Sequence, residues 1–160
     1  VPVLTVDAKG RITSATTAAL PQGSASYVMA STFTMTGANG VYQAVADSAG
    51  NVGIGVTAGT WEITMQVRGL VQAASGSVGN ITARLVTATS VLVPGSEIIV
   101  AVGYSTNTCQ ATATVSVIVT TAVSTTYYIS AMRDNATTWA MSTINSDANG
   151  RTRLTARQIS

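Results

Sequence analysis

The stretch Thr60-Trp-Glu-Ile-Thr-Met-Gln-Val-Arg-Gly-Leu-Val71 decides how the chain folds. Its odd positions are Trp61, Ile63, Met65, Val67, Gly69 and Val71; its even ones are Thr60, Glu62, Thr64, Gln66 and Arg68, until Leu70 breaks the pattern. Successive side chains of a strand point to opposite faces, so a period of two means one buried face and one wetted face. Ala111 to Val119 repeats it, with Ala113, Val115 and Val117 on one side and Thr112, Thr114 and Ser116 on the other. There the polar side is made of hydroxyls, not charges.

Weaker alternation marks Tyr27 to Thr36, Val41 to Ala46, Ile81 to Thr87, Ile98 to Ser105, Thr126 to Arg133, Thr137 to Ile144 and Thr152 to Ile159. With Leu4 to Thr13 this makes roughly nine or ten short strands, spaced as in a sandwich or barrel. No long window shows a capped 3.6-residue period, and the β-branched content opposes helix. The fold class is all-β.

One pattern recurs three times: Asp7-Ala-Lys-Gly10-Arg11, Asp47-Ser-Ala-Gly50-Asn51 and Asp147-Ala-Asn-Gly150-Arg151. Aspartate opens a turn because its carboxylate accepts from backbone N–H groups ahead of it, and glycine three residues on can take the left-handed conformation that closes a hairpin. A calcium loop would want several acidic oxygens at alternate positions. Each copy has one carboxylate, so three hairpins are expected and no metal. Ser14 to Ser26, rich in Thr, Ala, Gly and Ser, reads as a connector. It divides a neck hairpin and linker over residues 1–20 from a body over 21–160.

A chain of 160 residues has room for one domain of ordinary size. It holds no histidine, one cysteine, one lysine and six carboxylates. The groups that ligate transition metals or serve as bases near neutral pH are nearly absent, so no cofactor and no enzymatic role are expected. Charged residues make up 9%, their place taken by 26 Thr and 16 Ser among the polar residues and by Ala and Val among the apolar. The mean hydropathy is +0.36, yet the longest apolar run, Ile98 to Val102, is strand-sized and far short of the roughly 20 residues that span a bilayer. Membrane insertion is not expected, and another copy of the chain is the natural cover for the apolar excess. The seven arginines are scattered along the sequence, which speaks against nucleic acid. The chain opens on Val1 and shows no signal peptide, and a longer parent chain is expected.

Three stretches carry a resemblance to a family. Leu4-Thr-Val-Asp-Ala-Lys-Gly-Arg-Ile-Thr-Ser14 resembles the "VDAxGRxTxA" segment of bacteriophage tail fibres, found just ahead of a distal head. Ala58-Gly-Thr-Trp-Glu-Ile-Thr-Met-Gln-Val67 is similar to a strand of C1q/TNF-like jelly rolls, with Trp61 where many relatives carry Tyr. Gly150-Arg-Thr-Arg-Leu-Thr-Ala-Arg-Gln-Ile159 resembles the closing strand of such heads. The resemblance implies an antiparallel jelly-roll β-sandwich, homotrimeric, behind a short hairpin neck. It further implies an extracellular place on the virion, at a tail fibre tip, among other fibre or virion proteins. Its partner there is a bacterial surface polysaccharide or an outer-membrane or cell-wall component. The alternative is a structural virion component, a head fibre or decoration protein, without receptor binding.

Hydrolysis of a glycan needs two carboxylates facing each other, and no pair can be nominated from Asp7, Asp47, Glu62, Glu97, Asp134 and Asp147. A serine triad has no histidine to serve as base. Trp61, in register with Ile63 and Met65, reads as core. Trp139 follows the polar segment Arg133-Asp134-Asn-Ala-Thr-Thr138 and has two readings: a strand residue under a loop, or a ring that stacks on a sugar while Arg133 and Asp134 bond its hydroxyls. Tyr127 and Tyr128 point to opposite faces of one strand, so one of them is expected outside or at a subunit contact, and Tyr127 joins the candidate receptor-binding residues. Tyr104 and Asn107, near a strand end, form a further loop candidate. Cys109 reads as a small, at least half-buried residue and not a reactive thiol. Asn80-Ile-Thr82 and Asn135-Ala-Thr137 fit the glycosylation pattern, as chance allows in a Thr-rich chain.

Overall fold

In the computed structural model every regular element among the described residues is a strand. Those residues are 2–17, 23–74, 78–88, 90–104, 107–134, 139–147 and 150–160. A ribbon of β1 (Pro2–Val6) and β2 (Ile12–Thr17) comes first. Then follow β3 (Ser24–Val28), β4 (Phe33–Thr34), β5 (Gln43–Ala44), β6 (Ala46–Asp47), β7 (Gly50–Asn51) and β8 (Gly53–Val56). The long strands are β9 (Gly59–Ala73), β10 (Val78–Thr87), β11 (Ile98–Tyr104), β12 (Cys109–Thr121) and β13 (Thr125–Asp134). The chain closes with β14 (Trp139–Ile144), β15 (Ser146–Asp147), β16 (Gly150–Arg151) and β17 (Arg153–Gln158).

All pairings are antiparallel, and the body is a jelly-roll β-sandwich. In one sheet β9 is the spine: β12 runs along one of its edges, and β17 and β14 follow each other along the opposite edge, with β3 and β4 outside them. The other sheet runs β11-β10-β13, and β8 and β5 share the far edge of β13. The chain crosses between sheets from β4 to β5, β8 to β9, β9 to β10, β11 to β12, β12 to β13 and β13 to β14. This buries the apolar faces against each other: Trp61, Ile63, Met65, Val67 and Val71 of β9 meet Ile81, Ala83 and Leu85 of β10 and Ile129 and Ala131 of β13. Leu70, which broke the alternation, stands half-buried on the polar side.

Glycines let the sheets close at one margin. A Cβ on Gly103 would stand 2.9 Å from the Val71 carbonyl oxygen, and one on Gly69 would stand 2.9 Å from Val100 Cγ1. Gly69 thus occupies an inward position because no side chain fits there.

All three aspartate patterns form two-stranded hairpins. Asp7 Oδ1 accepts from the N–H groups of Lys9 and Arg11, at 2.9 and 3.0 Å, and Gly10 turns at φ +76°. Asp47 does more than close its turn. Its carboxylate also accepts from Ala30 N–H at 2.6 Å and from the Tyr27 hydroxyl at 3.0 Å, tying the hairpin to β3. Asp147 Oδ1 lies 3.2 Å from Arg68 Nε on the face of β9.

The strand Gly53–Val56 was not legible from alternation. Two of its residues are glycines, and Gly53 is pressed so closely on Tyr128 that a Cβ would meet the ring at 2.4 Å. The expected connector shrinks as well. Ser14 to Thr17 belongs to β2 and Ser24 to Ser26 to β3, while residues 18–22, with the expected boundary at 20/21, lie outside the described residues.

Candidate functional site

The spine strand separates two ends of the body. At one end Gln158 N–H donates to Gly23 O at 2.8 Å and Thr60 N–H donates to Ser160 O at 2.7 Å, so the chain enters and finishes beside Gly59. At the other end β9 stops at Ala73, β10 starts opposite Tyr104, β12 starts opposite Val71, β13 stops at Asp134 and β14 starts opposite Ala73. Five of the six candidate residues, Tyr104, Asn107, Arg133, Asp134 and Trp139, gather at this loop end although 35 positions separate the first from the last.

Arg133 and Trp139 come together. Arg133 is in register with buried Ile81, so its side chain leaves β13 on the inward face and runs out between the sheets. Its Nε–H donates to Gly37 O at 3.0 Å, its Nη1 to Ser142 Oγ at 3.2 Å, and the Ser142 hydroxyl donates on to Met35 O at 3.3 Å. The guanidinium carbon lies 5.7 Å from the Trp139 ring centroid, within reach of a cation–π attraction. Around them opens a cleft of about 330 Å³, lined by Thr34, Met35 and Met141 besides Arg133, Trp139 and Ser142. Trp139 is half-buried, and its Nε1 is out of solvent without an acceptor among the described residues. Among the described residues Arg133 brings the only charge to the cleft lining.

Asp134 leaves the strand on the opposite face. It approaches Gly40, whose Cβ would stand 3.9 Å from Asp134 Oδ1, and so does not share the sugar-sized cleft with Arg133. On that outer face lies a cluster that sequence reasoning missed. Tyr42 OH donates to Glu97 Oε2 at 2.6 Å, and Arg84 lies 3.5 Å from the Tyr42 ring centroid. Burial, then the bond to Glu97 and its charge, push the Tyr42 hydroxyl well above the ordinary tyrosine range. The three residues span 55 positions and share no motif, so only the tertiary fold could join them.

Tyr127 must be corrected. It is 5% exposed and packs into the core, while Tyr128 takes the outward face; in this register an inward ring cannot present itself to a receptor. Tyr104 is 62% exposed, and Asn107 N–H donates to its carbonyl at 3.2 Å. Cys109 is half-buried at the start of β12. Trp61 is core as read, its Nε1–H donating to Thr57 O at 3.0 Å.

A second feature lies along one side of the sandwich. Among the described residues β12 pairs only with β9 and β11 only with β10, so both present a free edge on the same margin. The inward row of β12, Ala111, Ala113, Val115, Val117 and Val119, is only half covered. Val91, Leu92 and Ile118 beside it are 60%, 41% and 69% exposed. No charged residue occurs between Ile98 and Met132.

No known protein family matches the sequence, and neither does any curated protein. Solved structures do match by fold. One is a chain from the structure of infectious bursal disease virus, Gx strain, with a TM-score of 0.52 at 13% identity, covering 99% of this chain and 37% of that one. The chain thus spans little more than a third of the viral chain's length, and what the two share is the architecture of an antiparallel β-sandwich.

Proposed function

We propose that the chain is the non-catalytic head of a bacteriophage tail fibre, a homotrimer that attaches the virion to a bacterial surface glycan or protein through its loop end. The observation that carries this reading is the position of the Arg133–Trp139 cleft at the end of β9 remote from Gly23 and Ser160. A body held at one end and bearing a polar cleft with an aromatic wall at the other is built to present that cleft outward.

Assembly of copies is supported by the uncharged margin. Free edges are commonly guarded by charge, proline or bulges, and the thirteen residues of β12 include no charge and no proline. At about 3.4 Å per residue and with sheets about 10 Å apart, the thirteen-residue length of β12 gives this side on the order of 450 Å² per copy, a little over half of what one partner gives to a standard interface. The ribbon adds Leu4, Val6 and Ile12, all more than half exposed.

The fold likeness to a chain of a viral particle also favours the second reading, a structural virion component without receptor binding. Competition separates the two. The isolated chain added to host cells should block adsorption of the particles that carry it; a full excess that leaves adsorption unchanged overturns the receptor-binding reading and keeps the structural one.

A further inference from the structure

We infer that the loop-end cleft takes a carboxylated sugar, with the acid group on Arg133 and the ring hydroxyls on the Thr34 and Ser142 side. The inference rests on the reading of this end as the receptor-binding end and narrows its ligand to acidic glycans.

A guanidinium drawn part-way between two sheets normally acquires a carboxylate partner, because its desolvation otherwise goes unanswered. Arg133 has only neutral acceptors, Gly37 O and Ser142 Oγ, among the described residues. The nearest carboxylate in sequence, Asp134, turns to the opposite face with Gly40 and the Tyr42 cluster. The two bonds fix the plane of the guanidinium while its other N–H donors remain for a ligand, and a planar fork with two parallel donors matches a carboxylate.

The rest of the lining selects what carries the acid. Met35, Met141 and the half-buried Trp139 give an apolar wall, and Thr34 and Ser142 give hydroxyls. A cleft of about 330 Å³ is at the small end of ligand sites and suits one monosaccharide unit. A uronic or ulosonic acid offers the three features together: a carboxylate, an apolar ring face and hydroxyls. An acidic peptide would offer the carboxylate without ring hydroxyls to use the Thr34 side.

The test is an NMR titration of the full chain with methyl glucuronide, N-acetylneuraminic acid, neutral methyl glucoside and an acetylated glutamate peptide, reading the Trp139 indole N–H and the Arg133 side-chain signals. An acidic sugar should bind at least about tenfold more tightly than the neutral one, as a charge-assisted pair predicts. Arg133→Gln should abolish the preference and Arg133→Lys should retain part of it. Equal binding of acidic and neutral sugars, a preference that survives Arg133→Gln, or tighter binding of the peptide overturns the inference. If the chain competes with particles for cells while no acidic sugar binds, the ligand class falls and the attachment reading stands; if it fails to compete, the attachment reading falls.

Discussion

Arg133 of β13 and Trp139 of β14 stand in different sheets, yet the guanidinium of one lies 5.7 Å from the ring of the other, at the point where the chain passes from sheet to sheet. Their pairing joins the two layers as well as shaping the cleft. Trp139→Ala should therefore act twice. Competition with particles for host cells should weaken by about tenfold or more, and loss of a half-buried indole, worth about 2 kcal/mol, should lower Tm by about 5 °C. Trp139→Phe separates the effects, restoring most of Tm. A Trp139→Ala chain that competes as well as the parent removes this residue from the binding reading.

The free margin predicts the assembly state. Sedimentation at tens of micromolar should show three copies, and the double change Leu92→Lys with Ile118→Lys should dissociate them without loss of strand content, because both side chains are exposed in the single chain. A monomeric parent chain at that concentration overturns the proposed trimer. A trimer untouched by the double change moves the contact to another face.

Thr152 fills the gap where β14 and β17 meet end to end along β9. It is fully buried; its hydroxyl accepts from Arg68 N–H at 3.1 Å and donates to Asn145 O at 2.9 Å. Thr152→Val keeps the shape and removes the acceptor, leaving a spine N–H unsatisfied. Chemical denaturation should show a loss of about 1 to 3 kcal/mol. A loss below about 0.5 kcal/mol would show that Arg68 N–H finds another acceptor.

Asp47 sets an acid limit. Burial raises its carboxyl pKa, but the N–H groups of Ala30 and Ala49 and the Tyr27 hydroxyl outweigh burial and hold it below its ordinary 3.8. The folded carboxylate thus binds a proton less readily than the unfolded one. Its stabilisation is present above pH of about 4 and is lost as pH falls through the lowered folded value. Acid unfolding followed by circular dichroism should be less steep in Asp47→Asn, which starts from lower stability at pH 7; parallel curves would show that Asp47 contributes nothing to the acid limit.

The long strands were legible because each carries its own evidence. Trp61 to Val71 and Ala111 to Val119 alternate within one segment, and the structure pairs the two with Ile63 opposite Val117 and Met65 opposite Val115. The Asp7 and Asp47 turns were legible for the same reason, since carboxylate and amide lie two to four positions apart. Gly53–Val56 was hidden because its glycines show no polarity, and Tyr127 was misplaced because alternation fixes that neighbours oppose each other without fixing which of them faces in. Of the cleft, Arg133 and Trp139 were in view through the polar segment between them. Gly37 and Met35 were not, for Gly37 reaches Arg133 across 96 positions and Met35 reaches Ser142 across 107, over a topology no local pattern encodes.

The arrangement of β9 has a mechanical consequence. Tension between the Gly23 end and the cleft would run along the strands, and the residue pairs joining β17 and β14 to β9 would be loaded side by side in shear, not opened one after another like a zip. If the proposed attachment holds, such a body would transmit a pull from a tethered cell to its own anchorage and stay folded while doing so.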